Sequence, residues 1–500
     1  MSQQPFLLLG NPGAASLERL PLLPFEEFRE LLLHAVRDRG MRVSAFFAWE
    51  ARGGRRLVAA LSDDTAGRVC LTSAPAPERY ACLTREAAAF HWFERELHEE
   101  TGIVPEGHPW LKPIRFCSGR DGEEPAVTDY FRLHGHAAHE VAVGPVHAGV
   151  IEPGHFRFQC LGEDVHTLEI SLGYQHRGVE RMLVGGPSKR TPFVMETIAG
   201  DSSAAYAGAY CGLLEALDED AGVSPRDAQI RLLAWELERI ANHIGDLGAL
   251  AGDVAFLQTA AFCGRIRGDF LNLTAAICGN RFGRGLVTPG GVGWKVDEML
   301  ADRLLRALDT NAADLSHALE LMFEAPSVLD RLENTGTVTD GQARDIGLVG
   351  VAARACGLRR DVRATHPYGP YGALSLSPAT VGTGDVFARA AVRRLELTAS
   401  LELARGALRQ LAGDELSKAA GRAPRVCRPS TIAVSLAEAW RGEVCQVAIT
   451  DGQGRFERLK VVDPSFHNWF GLALALRNGQ ISDFPICNKS FNLSYCGHDL

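Results

Sequence analysis

Twelve cysteines are the residues of this sequence best suited to redox or metal chemistry: Cys70, Cys82, Cys117, Cys160, Cys211, Cys263, Cys278, Cys356, Cys427, Cys445, Cys487 and Cys496. Thiolates at short spacing hold iron–sulfur clusters or zinc, but no Cys-x-x-Cys occurs, so neither an iron–sulfur run nor a zinc ribbon is expected. The opening MSQQPFLLLGNPG lacks the basic start of a signal peptide, so a disulfide framework is not expected either. The cysteines read as small buried hydrophobes. His134, His136 and His139 form a second cluster, which no cysteine or carboxylate array supports as a metal site. The glycine-rich tract Gly279 to Trp294 invites a phosphate loop, but no Gly-Lys-Ser/Thr closes one and no Gly-x-Gly-x-x-Gly follows a strand. It reads as turns. Glu236, Glu238 and Arg239, taken alone, read as charges on a helix surface, each pair worth a few tenths of a kcal/mol.

The chain that must position these groups has 500 residues, 46% of them hydrophobic and 23% charged. That is the composition of a globular protein with ample core, divisible into two or more domains. A net charge of −9 argues against nucleic acid as a partner. No run approaches the roughly 18 apolar residues that cross a bilayer, so any membrane link is expected through partners.

The element pattern is α+β. Residues 1–116 read as a small α/β domain. PFEEFRELLLHAVRDRG is an amphipathic helix carrying Phe25, Phe28, Leu32 and Val36 on one face, and two strands follow around a turn at Gly53-Gly54. LTREAAAFHWFERELHEETG predicts a helix with Thr84 as N-cap and Gly102 just past its end. Residues 117–140 are polar and read as a linker. Residues 141–500 read as a large, mainly helical domain with small β-sheets. Strands are expected at His155–Cys160 and Val165–Leu172, with a late hairpin turning at Asp451-Gly452. Ile230, Leu233, Leu237, Ile240, Ile244 and Leu247 predict a long helix buried on one face of a bundle.

Two stretches resemble known families. Trp92 to Phe116 resembles the closing hallmark of the C-type subunit of respiratory complex I, with Glu94, Arg95, Glu96, Gly102, Ile103, Gly107, His108 and Pro109 in place and Glu100-Thr101 and Trp110 departing from it. Residues 141–500 resemble nickel–iron hydrogenase large subunits and the D-type subunit of complex I, through the Glu236-to-His243 run and the Gly279–Trp294 loop. Gly347, Gly350, Arg354, Asp361 and Arg363 continue that match. The first metal motif of the hydrogenases is Arg-Gly-x-Glu, sixteen residues, then Arg-x-Cys-Gly-x-Cys-x-x-x-His. Arg177, Gly178, Glu180 and Gly200 match it, whereas Thr197, Ala199, Ser202 and Tyr206 stand at the arginine, cysteine and histidine positions. In the second motif, Asp-Pro-Cys-x-x-Cys, Asn492 and Leu493 replace Asp-Pro, and Ser494 and Gly497 replace the cysteines. Cys496 is one residue off register. The end at Leu500 is similar to that of a processed large subunit.

The resemblance implies a fused chain, C-type followed by D-type, of the group 4 hydrogenase or complex I kind, and the missing thiolates argue against a working hydrogenase. It implies a peripheral subunit at the cytoplasmic face of the inner membrane. Expected partners are an iron–sulfur small subunit, a ferredoxin-like subunit and antiporter-like membrane subunits. No cofactor is expected in this chain. Iron–sulfur clusters would sit in the partners, and NAD would bind a different subunit. The alternative is a quinone-reducing NADH dehydrogenase C/D-type subunit. In that family a hairpin histidine and a first-motif tyrosine line the quinone cavity, and the positions here fall near Pro153 and on Gly200. His147, His155 and Tyr206 are neighbouring substitutes. Arg177 and Glu180 would be carried over from a proton route or metal surround, with Asp201, Ser202, Ser203 and Tyr206 lining a polar pocket.

Overall fold

The computed structural model describes residues 4–116, 129–147, 151–413 and 421–500. In the N-terminal part, β1 (Leu7–Leu9), β3 (Arg42–Ala51), β4 (Gly54–Asp63) and β5 (Arg68–Pro75) form an antiparallel sheet in the order β1-β5-β4-β3. Helix α1 (Phe25–Arg37) covers it with Phe28 and Leu32 fully buried, as its apolar spacing requires. β2 (Gly13–Ser16) leaves this sheet. β6 (Arg79–Ala81) pairs in parallel with β7 (Val104–Glu106) around α2 (His91–Thr101).

Helix α2 begins later than the sequence predicts. Thr84 is not its N-cap: its backbone N–H and hydroxyl both donate to Glu94 from one turn inside the helix. Glu94 also accepts from Leu83 N at 2.8 Å, so the segment before the helix folds back onto that carboxylate. Gly102 ends the helix in the left-handed conformation, φ 76°, which glycine adopts without a Cβ penalty. The Arg95 guanidinium lies 4.4 Å from both the Trp92 and the Trp110 ring centroids, which gives the departing Trp110 a packing role.

β8 (Ala138–Val143), β9 (His155–Leu161) and β10 (Asp164–Ser171) form the next sheet, the latter two meeting the predicted strands closely. The last three residues of the expected linker are therefore strand. His134 and His136 are exposed, and no metal-holding group of histidine, cysteine, aspartate and glutamate occurs among the described residues. Cys117 lies outside the described residues. The other cysteines are all free thiols, and all but Cys496 are buried.

Short helices α3 (Val179–Leu183) and α4 (Thr191–Glu196) lead to α5 (Ser203–Leu217) and then to the long α6 (Pro225–Asp253) and α7 (Leu257–Cys278). A two-strand turn, β11 (Val287–Thr288) with β12 (Gly291–Val292), occupies the glycine tract. After it come α8 (Glu298–Phe323), α9 (Pro326–Leu332), α10 (Asp340–Asp345), α11 (Gly350–Ala355), α12 (Val362–Thr365) and α13 (Val386–Ala412). Helices α6, α7, α8 and α13 pack together as the bundle. The predicted apolar stripe of α6 is buried, and so are Glu236, Arg239 and His243 on its other faces. The surface-charge reading of Glu236 and Arg239 is thereby corrected: α6 runs through the middle of the bundle. Glu238 lies at a cleft and is partly exposed.

Strands β13 (Thr431–Ala439), β14 (Gly442–Thr450) and β15 (Phe456–Val462) form the final sheet, with β2 as its fourth strand beside β13. Asn11 fastens this crossover: its amide donates to Leu436 O and His366 O and accepts from Leu436 N. Helices α14 (Pro464–Leu476), α15 (Phe484–Phe491) and α16 (Tyr495–Asp499) close the chain. No helix among the described residues is long and apolar enough to cross a membrane.

Candidate functional site: two emptied metal motifs meet

The loop after β10 and helix α16 are stitched together, which brings the first motif onto the second. Asp499, fully buried, accepts from Gly173 N and Gln175 N, each at 2.9 Å. Arg177 N donates to Leu500 O at 2.7 Å. Its guanidinium donates to Thr197 O (2.8 Å), Ile198 O (3.0 Å) and Cys496 O (3.3 Å). Arg177 is thus a clamp on the backbone of both motifs.

Tyr206, at the histidine position, is fully buried on α5 and donates its hydroxyl to Asp463 Oδ2. Asp463 ends β15 and caps α14, its other oxygen accepting from Ser465 N at 2.7 Å. Ser494 N donates to Ser465 Oγ at 2.8 Å, and Ser494 Oγ accepts from Gly497 N at 2.9 Å. A Cβ built on Gly497 would stand inside contact distance of Asp463 Oδ2 and 2.9 Å from Ser494 Oγ. A carboxylate occupies the place where the side chain of the motif's last cysteine would begin. Ala199 and Ser202 are buried nearby in sequence on the turn into α5.

Electrostatics follow from burial. Burial raises the Asp463 carboxyl, against the Tyr206 hydrogen bond and the Arg441 charge. The Tyr206 phenol is pushed well above its ordinary range by burial and by Asp463. Burial pushes the Cys496 thiol up to about 12, so the one near-register sulfur is held protonated.

Asp201 links the site to its surroundings. Arg441 grips it with two bonds of 2.7 and 2.8 Å and, against the cost of burial, holds its carboxyl below the usual range. The same arginine donates to Asn492 O at 2.6 Å, so it spans both motifs. Its guanidinium lies 3.9 Å over Trp440, whose Nε1 donates to Asp201 O. At the N-terminus of α5 the free N–H groups of Ala204 and Ala205 are met by Glu238 at 2.6 and 3.1 Å. Burial pushes the Glu238 carboxyl up to about 8.

Glu180 does not join this group. It faces the seam between the N-terminal part and the large domain, bonded to Lys460 (3.1 Å), Arg458 (3.0 Å) and Val461 N (3.0 Å). Glu96 of α2 reaches the same Lys460 at 2.5 Å and also pairs with Arg115, while Glu100 pairs with Arg458 at 3.0 Å. Three carboxylates and three cations therefore close the seam, beside a cavity of about 560 Å³ that Glu180, Arg458 and Trp49 help to line. His147 and His155 are also apart. Their rings bond the carbonyls of Gly154 and Gly144 within their own hairpin, each at 3.1 Å. Glu152, from that hairpin, is the residue that reaches the second motif, through Tyr495 N at 3.2 Å.

These residues do not fit a nickel–iron centre. Alanine and glycine offer no ligand, serine is a hard and weak one, and soft thiolates are what such a metal needs. Asp463 and Arg441 were not singled out from the sequence. Both lie between Trp440 and Phe466, where an aspartate directly before Pro464 signals a helix cap and nothing more.

The family profile described as "Respiratory-chain NADH dehydrogenase, 49 Kd subunit" matches residues 253–429. The chain is 31% identical over 357 residues to the carbon monoxide-induced hydrogenase of Rhodospirillum rubrum, covering 71% of this chain and 98% of that one. It is 27% identical over 441 residues to formate hydrogenlyase subunit 5 of Escherichia coli strain K12, covering 83% and 76%. The solved structure of the membrane-bound sulfane sulfur reductase, an archaeal respiratory membrane complex, has a chain with this fold at a TM-score of 0.67 and 22% identity, covering 73% and 99%. With the motif frame, the α+β architecture and these matches together, the chain belongs to the family of group 4 nickel–iron hydrogenase large subunits and their complex I 49 kDa relatives.

Proposed function

We propose that this chain is a peripheral-arm subunit of a membrane-associated, hydrogenase-like or complex-I-like oxidoreductase complex, and that its own site handles protons without nickel. The observation that carries this reading is Asp463. It sits where the Gly497 side chain would begin and takes the Tyr206 hydroxyl, so the two motifs still converge but on a hydrogen-bonded pair. Relatives named as a hydrogenase and as a formate hydrogenlyase subunit support the complex, and the 49 Kd match supports its kinship to complex I. The partners are an iron–sulfur small subunit, a ferredoxin-like subunit and antiporter-like membrane subunits, on the cytoplasmic face. Electrons pass through the partners' clusters, since this chain offers no thiolate set among its described residues.

The test is affinity purification of the chain from membranes in mild detergent, with mass spectrometry of the co-purifying subunits and metal analysis of the complex. The expected result is an iron–sulfur subunit and membrane subunits, with iron but no stoichiometric nickel. Recovery of the chain alone would overturn the complex, and one nickel per chain would overturn the reading of the site. Quinone reduction by the purified complex, blocked by a headgroup competitor, would favour the alternative of a quinone-reducing NADH dehydrogenase.

A further inference from the structure

Deep in the bundle, four carboxylates meet three guanidiniums. Glu236 (α6), Asp361 (before α12), Glu396 (α13) and Glu438 (β13) face Arg239, Arg354 and Arg363, and none of the seven is more than 5% exposed. Arg354 holds Glu396 through Nε at 2.7 Å and Nη2 at 2.6 Å, and Glu438 through Nη1 at 2.7 Å. Arg363 holds Asp361 at 2.7 Å and Glu236 at 3.3 Å. Arg239 stands 3.5 Å from Glu236 and 3.7 Å from Glu396. Among the described residues, one carboxyl of the cluster has no arginine to balance it. A buried charge in that position is neutralised by binding a proton, because carrying it unpaired costs far more.

Two groups can take that proton. His243 Nε2 lies 2.8 Å from Glu396 Oε2, but its buried Nδ1 has no partner among the described residues. An imidazolium would leave an N–H unbonded there, whereas the neutral ring donates from Nε2 and leaves only a lone pair. Glu438 faces Asp361 as a like charge and shares Arg354 with Glu396, with one oxygen on Arg354 and the other on Val362 N at 2.9 Å. Tyr368 OH accepts from its backbone N–H, and Tyr371 OH donates to Glu236. Burial, only partly opposed by Arg354, pushes the Glu438 carboxyl up to about 7, while burial lowers His243.

The cluster is wired to the two motifs. Asp246 and Arg393 pair at 2.7 Å one turn along the same α6–α13 contact from His243 and Glu396. Asp246 accepts from the Asn492 side chain, and the Asn492 carbonyl accepts from Arg441, which grips Asp201. Trp440 lies between the two regions, its ring edge-on to His243 at 6.2 Å and under Arg441.

We propose that the bundle cluster is a proton-storage site that holds one exchangeable proton on Glu438, filled or emptied according to the charge at the Asp201–Asp463 site. The proton comes from bulk water and returns to it, with no bond made or broken elsewhere. The coupling rests on the proton-handling reading of the Tyr206–Asp463 pair; the storage does not.

The test is infrared difference spectroscopy of the full chain across about pH 5 to 9, a span from the ordinary carboxyl range to beyond neutrality. Wild type shows a protonated-carboxyl C=O band that persists to neutral pH. Glu438→Gln loses that band and His243→Gln keeps it. Asp463→Asn removes a negative charge and moves the band's titration to lower pH. Retention of every such band in Glu438→Gln overturns the storage site. A band absent from wild type but gained in His243→Gln puts the proton on the histidine and overturns the assignment without needing the first variant to fold. An unmoved titration in Asp463→Asn overturns the coupling, and complex formation in the purification above is independent of all three.

Discussion

Replacing Tyr206 by phenylalanine tests whether the emptied site is a working hydrogen-bonded pair. The ring stays, so no cavity opens and only the hydroxyl is lost. Asp463 keeps Ser465, whose N lies at 2.7 Å, but loses the Tyr206 hydroxyl at a residue that is 2% exposed. A hydrogen bond to a charged group contributes about 1.5–3 kcal/mol, and the raised Asp463 carboxyl puts the expected loss near the lower end, about 1.5 kcal/mol. Asp463→Asn and the double variant complete a cycle whose coupling should be about 1 kcal/mol. The assay is urea denaturation followed by tryptophan fluorescence, with equal m-values showing that only stability changed. The pH dependence gives a second reading. A carboxyl raised in the folded state contributes stability that is fully present below its unfolded value and lost as pH rises through the folded value. Wild type should therefore lose this component with rising pH, and Asp463→Asn should not. A coupling below about 0.5 kcal/mol would refute the pair.

Lys460→Met leaves Glu96 and Glu180 buried with one cation fewer, and should cost about 3 kcal/mol by denaturation and release the N-terminal part to limited proteolysis first. Glu238→Gln keeps an acceptor for the α5 N-terminus. It should remove the Glu238 share of the stability that wild type loses as pH rises from the ordinary carboxyl range of about 4.3 to about 8, read as a shallower fall of Tm with pH. Gly350→Ala places a side chain at φ 62° inside contact distance of Arg441 O. It should cost about 3 kcal/mol and disturb the Asp201–Arg441 pair, seen as a lower Tm. Recovery of wild-type Tm in any of these would count against the contact named.

Residues whose role is local were the legible ones. Gly102 and the apolar face of α1 follow from dihedral preference and periodicity, and the expected hairpin is off by one residue, turning at Arg52-Gly53 with Gly54 opening β4. Tyr206 could be found by register alone. Asp463 could not: it lies 257 residues from its tyrosine, and nothing in the local pattern marks an aspartate whose second role is long-range. Glu236 and Arg239 misled for a related reason. A helix packed against protein on most of its faces buries charges such as Glu236 and Arg239 as well as its stripe, and the 3.6-residue period reports only the stripe. Thr84 is followed by residues typical of a helix start, but Glu94 offers its backbone and hydroxyl a better acceptor. His147 and His155 were near the expected loop, yet backbone carbonyls of the hairpin claim both rings.

The strand exchange at Asn11 sets an order of assembly. Its partner Leu436 lies 425 residues later, so at about 5–20 residues per second a ribosome needs roughly 20 to 85 s to supply it. Until then β2 lacks the strand that carries its ladder, and Asn11 lacks the Leu436 backbone. Once β13 is made, β2 of the same chain covers its outer edge, which would otherwise be open to another molecule's strand. The exchange thus covers the edge of the last sheet with the first-made part of the chain.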